Sequence, residues 1–122
     1  MTDRYFVTTP IYYVNAEPHL GHTYTTVVCD TLARYHRLAG YQTFFLTGTD
    51  EHGDKIAEVA AERGVLPRQV ADENSATFRS TWNSLGFSID RFIRTTDADH
   101  IETVQKILQK VYDAGDITFR EY

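Results

Sequence analysis

Two histidines lie three residues apart where a helical pattern begins. His19 and His22 would share one face of the first helical turn, and both imidazoles could donate a hydrogen bond to a phosphate oxygen. Gly21 lies between them and has no Cβ, so a flat base or a phosphate could approach the backbone closely. The residue types and their spacing therefore indicate a nucleotide site.

The same histidine pair allows two other interpretations. The side chains can simply be solvated, which is the more frequent case for an arbitrary pair at this spacing. Imidazoles one turn apart also have the spacing of metal ligands. A metal ion would need a third ligand, and the candidates for that role are Asp50, Glu51 and His52.

The surrounding residues predict a strand, a loop and a helix. Residues 5–9 are β-branched and aromatic and end at Pro10, which is typical of a short buried strand. After His19, apolar residues recur at spacings of three and four and predict one buried helix face, which ends at Gly40. The residues of this predicted face are Leu20, Tyr24, Val27, Val28, Leu32, Tyr35 and Leu38. In an open α/β sheet, the start of such a helix faces the crevice that binds anionic ligands.

A second strand is predicted over residues 41–47, which form a continuous β-prone run. Two strands joined by a helix make a right-handed βαβ unit, so the segment after this strand should reach the same edge as His19. That segment contains Asp50, which could accept hydrogen bonds from a substrate ammonium group. As an alternative, Asp50 could cap the next helix.

The rest of the chain continues the alternation of helices and strands. Helices are predicted over residues 54–63, 67–85 and 98–115, with a short strand within 87–94 and another that begins at 117. Phe78 and Trp82 have the spacing of core residues. The predicted fold class is α/β, the first half of a Rossmann-like, doubly wound parallel sheet.

Two stretches of sequence resemble a known family. Residues 12–22 (Tyr-Tyr-Val-Asn-Ala-Glu-Pro-His-Leu-Gly-His) and 45–53 (Phe-Leu-Thr-Gly-Thr-Asp-Glu-His-Gly) are similar to the start of the methionyl-tRNA synthetases, which are class I aminoacyl-tRNA synthetases. His-Leu-Gly-His alone would indicate only the class I superfamily. The approach over residues 9–15 and the run over 47–53 make the resemblance specific, and it continues through 92–96.

The resemblance implies the class I synthetase nucleotide-binding fold, with ATP-dependent activation of L-methionine to methionyl-adenylate and transfer to tRNA(Met). Magnesium would accompany ATP as its substrate complex, and no metal site is expected in this segment. The residues that the resemblance assigns are, for catalysis, His19 and His22; for ATP, His19, Gly21 and His22; for methionine, Ile11, Tyr13 and Asp50; and for support of the motifs, Asn15, Pro18, Leu20, His52 and Gly53.

The resemblance also implies a longer protein than these 122 residues. Residues 1–116 would be the N-terminal half of the catalytic domain, and 117–122 would begin an inserted segment that binds zinc in many family members. A later Lys-Met-Ser-Lys-Ser loop normally grips the pyrophosphate. We therefore expect the isolated chain to be impaired or inactive, with one sheet edge and one flank exposed.

Composition sets further limits. Twelve basic and 17 acidic residues give a net charge of -5, so the main tRNA surface should lie elsewhere in the protein. The single Cys29 has no partner for an internal disulfide, and with no signal peptide or membrane-spanning run the sequence predicts a cytoplasmic protein. A stand-alone nucleotidylyltransferase, a non-catalytic ATP- or methionine-binding module and a metal hydrolase are the alternative functions.

Overall fold

The computed structural model describes residues 3–121. Its elements, in chain order, are β1 (Arg4–Thr8), β2 (Tyr12–Tyr13), α1 (Leu20–Leu38), β3 (Gln42–Asp50), α2 (Asp54–Arg63), α3 (Pro67–Ser84), β4 (Arg91–Arg94) and α4 (Ala98–Asp113). The predicted α/β class is confirmed. The sequence placed the helices and β1, β3 and β4 to within a few residues, but it assigned β2 to a loop.

β3 is the central strand, and every strand pair that involves it is parallel. Leu46 of β3 pairs with Thr8 of β1 and with Arg91 of β4, so β1 and β4 lie along opposite edges of β3. β2 lies on the same side of β3 as β1, further along the strand, because Thr49 pairs with Tyr12 of β2 and with Arg94 of β4 on its other side. The carboxyl ends of β1, β3 and β4 therefore meet at one edge of the sheet, as the βαβ prediction requires.

The largest buried cluster joins the loop around β2 to α2 and α3. It consists of Tyr12, Val14, Ile56, Ala60, Val70, Ala71, Phe78 and Trp82. A second cluster, Cys29, Ala33 and Phe45, packs α1 against β3. The predicted core role of Phe78 and Trp82 is therefore confirmed, and Cys29 is a small buried packing residue whose thiol pKa is raised by burial.

The structure reverses the predicted buried face of α1. Leu20 and Leu38 are 86% and 90% exposed, and the other residues of the predicted face are exposed as well. The helix instead buries Thr26, Cys29, Asp30 and Ala33. Small side chains let the helix approach the sheet closely. The buried Asp30 carboxylate is paired, because its Oδ1 accepts hydrogen bonds of 2.6 Å from both the amide and the hydroxyl of Ser88. The periodicity therefore identified an apolar stripe of α1, but this stripe is not the face that packs against the sheet.

The C-terminal part makes fewer contacts than the sequence predicts. α4 has the expected apolar stripe, yet none of its residues is buried. No strand forms over residues 117–121, so that prediction is wrong for this range, and residue 122 lies outside the described part. None of the helices within residues 3–121 has the length and apolarity needed to cross a bilayer.

Candidate functional site

The two histidines cap the start of α1 by reciprocal hydrogen bonds. Nδ1 of His19, the N-cap residue, accepts from the Gly21 amide over 3.0 Å. Nδ1 of His22 accepts from the His19 amide over 3.2 Å. This arrangement is a capping box, a motif that usually combines Ser or Thr with Glu or Gln. The rings stack with centroids 3.7 Å apart, so each histidine restrains the other.

The capping box also determines where the imidazole protons lie. A nitrogen that accepts a hydrogen bond from an amide carries no proton, so Nδ1 of each ring is unprotonated in these caps and the ring proton lies on Nε2. Burial, with a smaller contribution from nearby His19, lowers the pKa of His22 below its ordinary value of 6.5. His22 is therefore neutral near pH 7, and each ring retains an Nε2–H that can donate to a ligand.

Gly21 is required by the ring of His19. A Cβ at this position would lie 2.9 Å from Cε1 of that ring, closer than real Cβ atoms pack, and 3.1 Å from Nδ1, which is unusually tight. Any larger residue would push His19 out of its capping position. The contact with ATP assigned to Gly21 stays a prediction, and the structure adds this second reason for a glycine.

The loop before α1 is fixed from two helices. The Tyr12 hydroxyl lies 3.0 Å from Thr26 Oγ1 and donates to the His22 carbonyl over 3.3 Å, so its burial reflects packing. From α3, the Asn74 amide donates to the carbonyl of Val14 over 2.6 Å. The family resemblance assigned support of this motif to Asn15, and sequence reasoning missed the contact from Asn74. The available signal was a polar side chain on the apolar face of α3.

Two adjoining cavities open at the carboxyl edge of the sheet. The larger, of about 660 Å³, is lined by Tyr13, Asn15, Asp50, His52, Gly53, Asp54, Lys55 and Ile56. The smaller, of about 270 Å³, is lined by Ile11, Tyr12, Tyr13, Asn15, Ala16, Glu17, His19 and His22. Because Tyr13 and Asn15 line both cavities, the histidines and Asp50 line neighbouring cavities that share a wall.

The residues assigned to methionine are divided between these cavities. Tyr13 and Asp50 are register partners across β2 and β3 and line the larger cavity together. Ile11 lies in the smaller cavity with the histidines. Among the supporting residues, His52 and Gly53 line the larger cavity, whereas Leu20 lines neither and is almost fully exposed.

The structure contradicts the alternative that Asp50 caps a helix. The N-cap residue of α2 is Gly53, and no side chain hydrogen-bonds to this cap. Gly53 has a φ of 129°, which L side chains rarely adopt, so the turn into α2 favours glycine. Asp50 is therefore not engaged as a helix cap.

Glu51, between Asp50 and His52, was missed by sequence reasoning except as a possible metal ligand. Its buried carboxylate accepts hydrogen bonds from Arg94, Thr96 and Thr49. Burial alone would raise the pKa of Glu51, but these hydrogen bonds together lower it below its ordinary value. Within residues 3–121, no three or more His, Cys, Asp or Glu side chains come together to hold a metal ion, so the histidine pair gains no third ligand there.

Residues 5–122 match the family of tRNA synthetases class I (M). A methionine–tRNA ligase of Clostridium tetani is 52% identical over 118 residues, which cover 97% of this chain and 18% of that protein. The ligase of Caldanaerobacter subterraneus is 49% identical over 122 residues, which are 100% of this chain and 19% of that protein. The structure of Mycobacterium tuberculosis methionyl-tRNA synthetase in complex with methionyl-adenylate has a TM-score of 0.90 and 47% identity over 94% of this chain and 22% of that one. The chain thus spans about a fifth of the length of the curated relatives.

Proposed function

Since the chain belongs to the class I (M) family of tRNA synthetases, we propose that it is the N-terminal catalytic portion of a methionine–tRNA ligase. The full protein would activate L-methionine with ATP to methionyl-adenylate and transfer the methionyl group to tRNA(Met). The observation that carries the proposal is the position of the capped histidine pair beside Asp50, in adjoining cavities that share Tyr13.

In the first step, a carboxylate oxygen of methionine attacks the α-phosphorus of ATP and pyrophosphate leaves. Such a step requires positioning and hydrogen-bond donors for developing charge, and it uses no nucleophile from the protein. The Nε2–H groups of His19 and His22 are the donors that we assign to the phosphate oxygens. Magnesium would enter bound to ATP, as part of the substrate.

Asp50 would accept hydrogen bonds from the methionine ammonium, with Tyr13 beside it and Ile11 as an apolar wall. A net charge of -5 supports a tRNA surface that lies mainly in other parts of the protein. Any zinc would be bound beyond residue 116. We propose the cytoplasm as the compartment, because translation there consumes aminoacyl-tRNA.

The test is amino-acid-dependent exchange between ATP and pyrophosphate, measured in a full-length protein that carries these residues. Methionine alone among the amino acids should support exchange, and the protein should then charge tRNA(Met). Nucleotidyl transfer without any amino acid would indicate a nucleotidylyltransferase instead. Binding of ATP or methionine without turnover would indicate a non-catalytic module.

A further inference from the structure

Glu51 follows Asp50 at the end of β3, and its side chain takes the opposite direction. Side chains alternate across a strand, so those of Thr49 and Asp50 lie on opposite faces of β3. Asp50 lines the larger cavity together with His52, which follows the end of β3. Thr49 shares the other side with Glu51 and donates its hydroxyl to Glu51 Oε1 over 2.8 Å. The Glu51 side chain is 0% exposed and takes no part in the cavity wall.

Arg94, the last residue of β4, binds Glu51 with two nitrogens. Its Nε donates to Oε1 over 2.5 Å and its Nη2 donates to Oε2 over 2.8 Å. The Thr96 hydroxyl also donates to Oε2 over 2.5 Å, and the Glu51 amide donates to Thr95 Oγ1 over 2.9 Å. Both the backbone and the carboxylate of Glu51 are therefore fixed to the end of the neighbouring strand.

The network extends to α3, where Asp72 Oδ1 accepts a third hydrogen bond from Arg94. The Ser75 hydroxyl of the same helix lies 3.1 Å from Thr49 Oγ1. The hydrogen bonds that Arg94 donates to Glu51 raise the pKa of the Arg94 guanidinium despite its partial burial, so the pair is ionised at neutral pH. A buried ion pair is often no more stabilising than apolar residues of the same size. We therefore explain this pair by the geometry that it fixes and not by a gain in stability.

We propose that Glu51 and Arg94 are positioning residues of the amino-acid site, which hold the end of β3 so that Asp50 and His52 face the larger cavity. This inference rests on the proposed function, in which Asp50 binds the methionine ammonium. Arg94 also compensates the charge of Glu51, which otherwise would lie unpaired one residue from Asp50. A displacement of about 1 Å at such a group can cost roughly 10²-fold in rate.

The test uses Glu51→Gln and Arg94→Lys in a full-length protein that carries these residues. Methionine-dependent pyrophosphate exchange gives separate KM values for methionine and ATP, and thermal unfolding reports stability. We expect the methionine KM to rise about tenfold or more, while the ATP KM stays close to that of the wild type. The double variant Glu51→Gln/Arg94→Met removes both charges, so its melting temperature should be higher than those of the single variants. Its methionine KM should nevertheless stay above that of the wild type.

Glu73→Gln is the matched control, because it breaks the exposed ion pair of Glu73 with Arg63 between α2 and α3. This control should leave both KM values unchanged. Lower melting temperatures with a wild-type methionine KM in the Glu51 and Arg94 variants would show a purely structural role and overturn the inference. A wild-type protein without methionine-dependent exchange would instead contradict the proposed function, and the inference would fail with it.

Discussion

The observed cap and the proposed donor role of His19 would use different atoms of one ring. Its Nδ1 caps α1, and its Nε2–H remains free for a ligand. A serine or asparagine would satisfy the cap but would not reach the position of Nε2. The proposed donor role would therefore explain why the cap residue is a histidine, since the cap alone does not require one.

This division predicts different outcomes for two substitutions in the full-length protein. His19→Asn keeps an acceptor near the position of Nδ1 but lacks the distal donor, so adenylate formation should fall by about 10²–10³, the usual loss for one preorganised donor. His19→Gln restores an N–H near Nε2 and should recover part of that loss. Pyrophosphate exchange measures the rate, and thermal unfolding checks the cap. Wild-type exchange in His19→Asn would contradict the donor role.

Asp50 gives a prediction about binding. Asp50→Asn should weaken the binding free energy of methionine by roughly 1.5–3 kcal/mol, because it removes a charge-assisted hydrogen bond to the ammonium. Affinity for ATP should change little. A methionine analogue without the amino group serves as the control and should bind both proteins equally. If the analogue loses as much affinity as methionine, then Asp50 shapes the cavity and does not contact the ammonium.

At the scale of elements, the start of α1 connects helix stability to protonation. Because the folded state lowers the pKa of His22, the neutral form is the one that folding favours. The associated stability is complete above the ordinary value of 6.5 and is lost as the pH falls towards the folded-state pKa. Protonation of Nδ1 would also remove the acceptor for the His19 amide.

We therefore predict that His22→Gln makes stability depend less on pH below neutrality. A glutamine at this position can still accept from the His19 amide, as in an ordinary capping box, but it does not titrate. Melting temperatures between about pH 7 and pH 5 should fall more steeply in the wild type than in the variant. Parallel profiles for the two proteins would show that His22 contributes no pH-dependent stability.

At the scale of the whole molecule, the described residues leave several apolar surfaces uncovered. The exposed stripe of α1 contains Val27 and Leu32, and Phe6 and Phe44 stack in the open with centroids 5.9 Å apart. Within residues 3–121, β1 pairs only with β3, so its outer edge is free. Unpaired strand edges and apolar patches both promote association between chains.

The 122-residue chain by itself should therefore self-associate as its concentration rises. Val27→Glu and Leu32→Lys should reduce light scattering with little effect on melting temperature, since exposed substitutions change stability by only about 0.5 kcal/mol. Ala33→Glu, on the buried face of the same helix, is the matched control and should unfold the chain. A wild-type chain that stays monomeric at high concentration would contradict this prediction.

The sequence alone determined the local features of the fold. Helix boundaries followed from residues with local effects, such as Gly64, which ends α2 at a φ of 65°, and Pro67, which begins α3. The family also followed from the sequence, because its motifs are contiguous runs of residues. The parallel βαβ arrangement predicted that the histidines and Asp50 lie at the same edge of the sheet, where they line adjoining cavities.

Only the tertiary structure decided which surfaces meet. The buried face of α1 differs from its most apolar face, because the sheet selects the small residues around Ala33 and satisfies Asp30. The ion pair of Glu51 with Arg94 joins residues 43 positions apart, and no local pattern marks such a pair. Periodicity and propensity are properties of neighbouring residues, whereas burial and charge pairing depend on surfaces that fold together from distant parts of the chain.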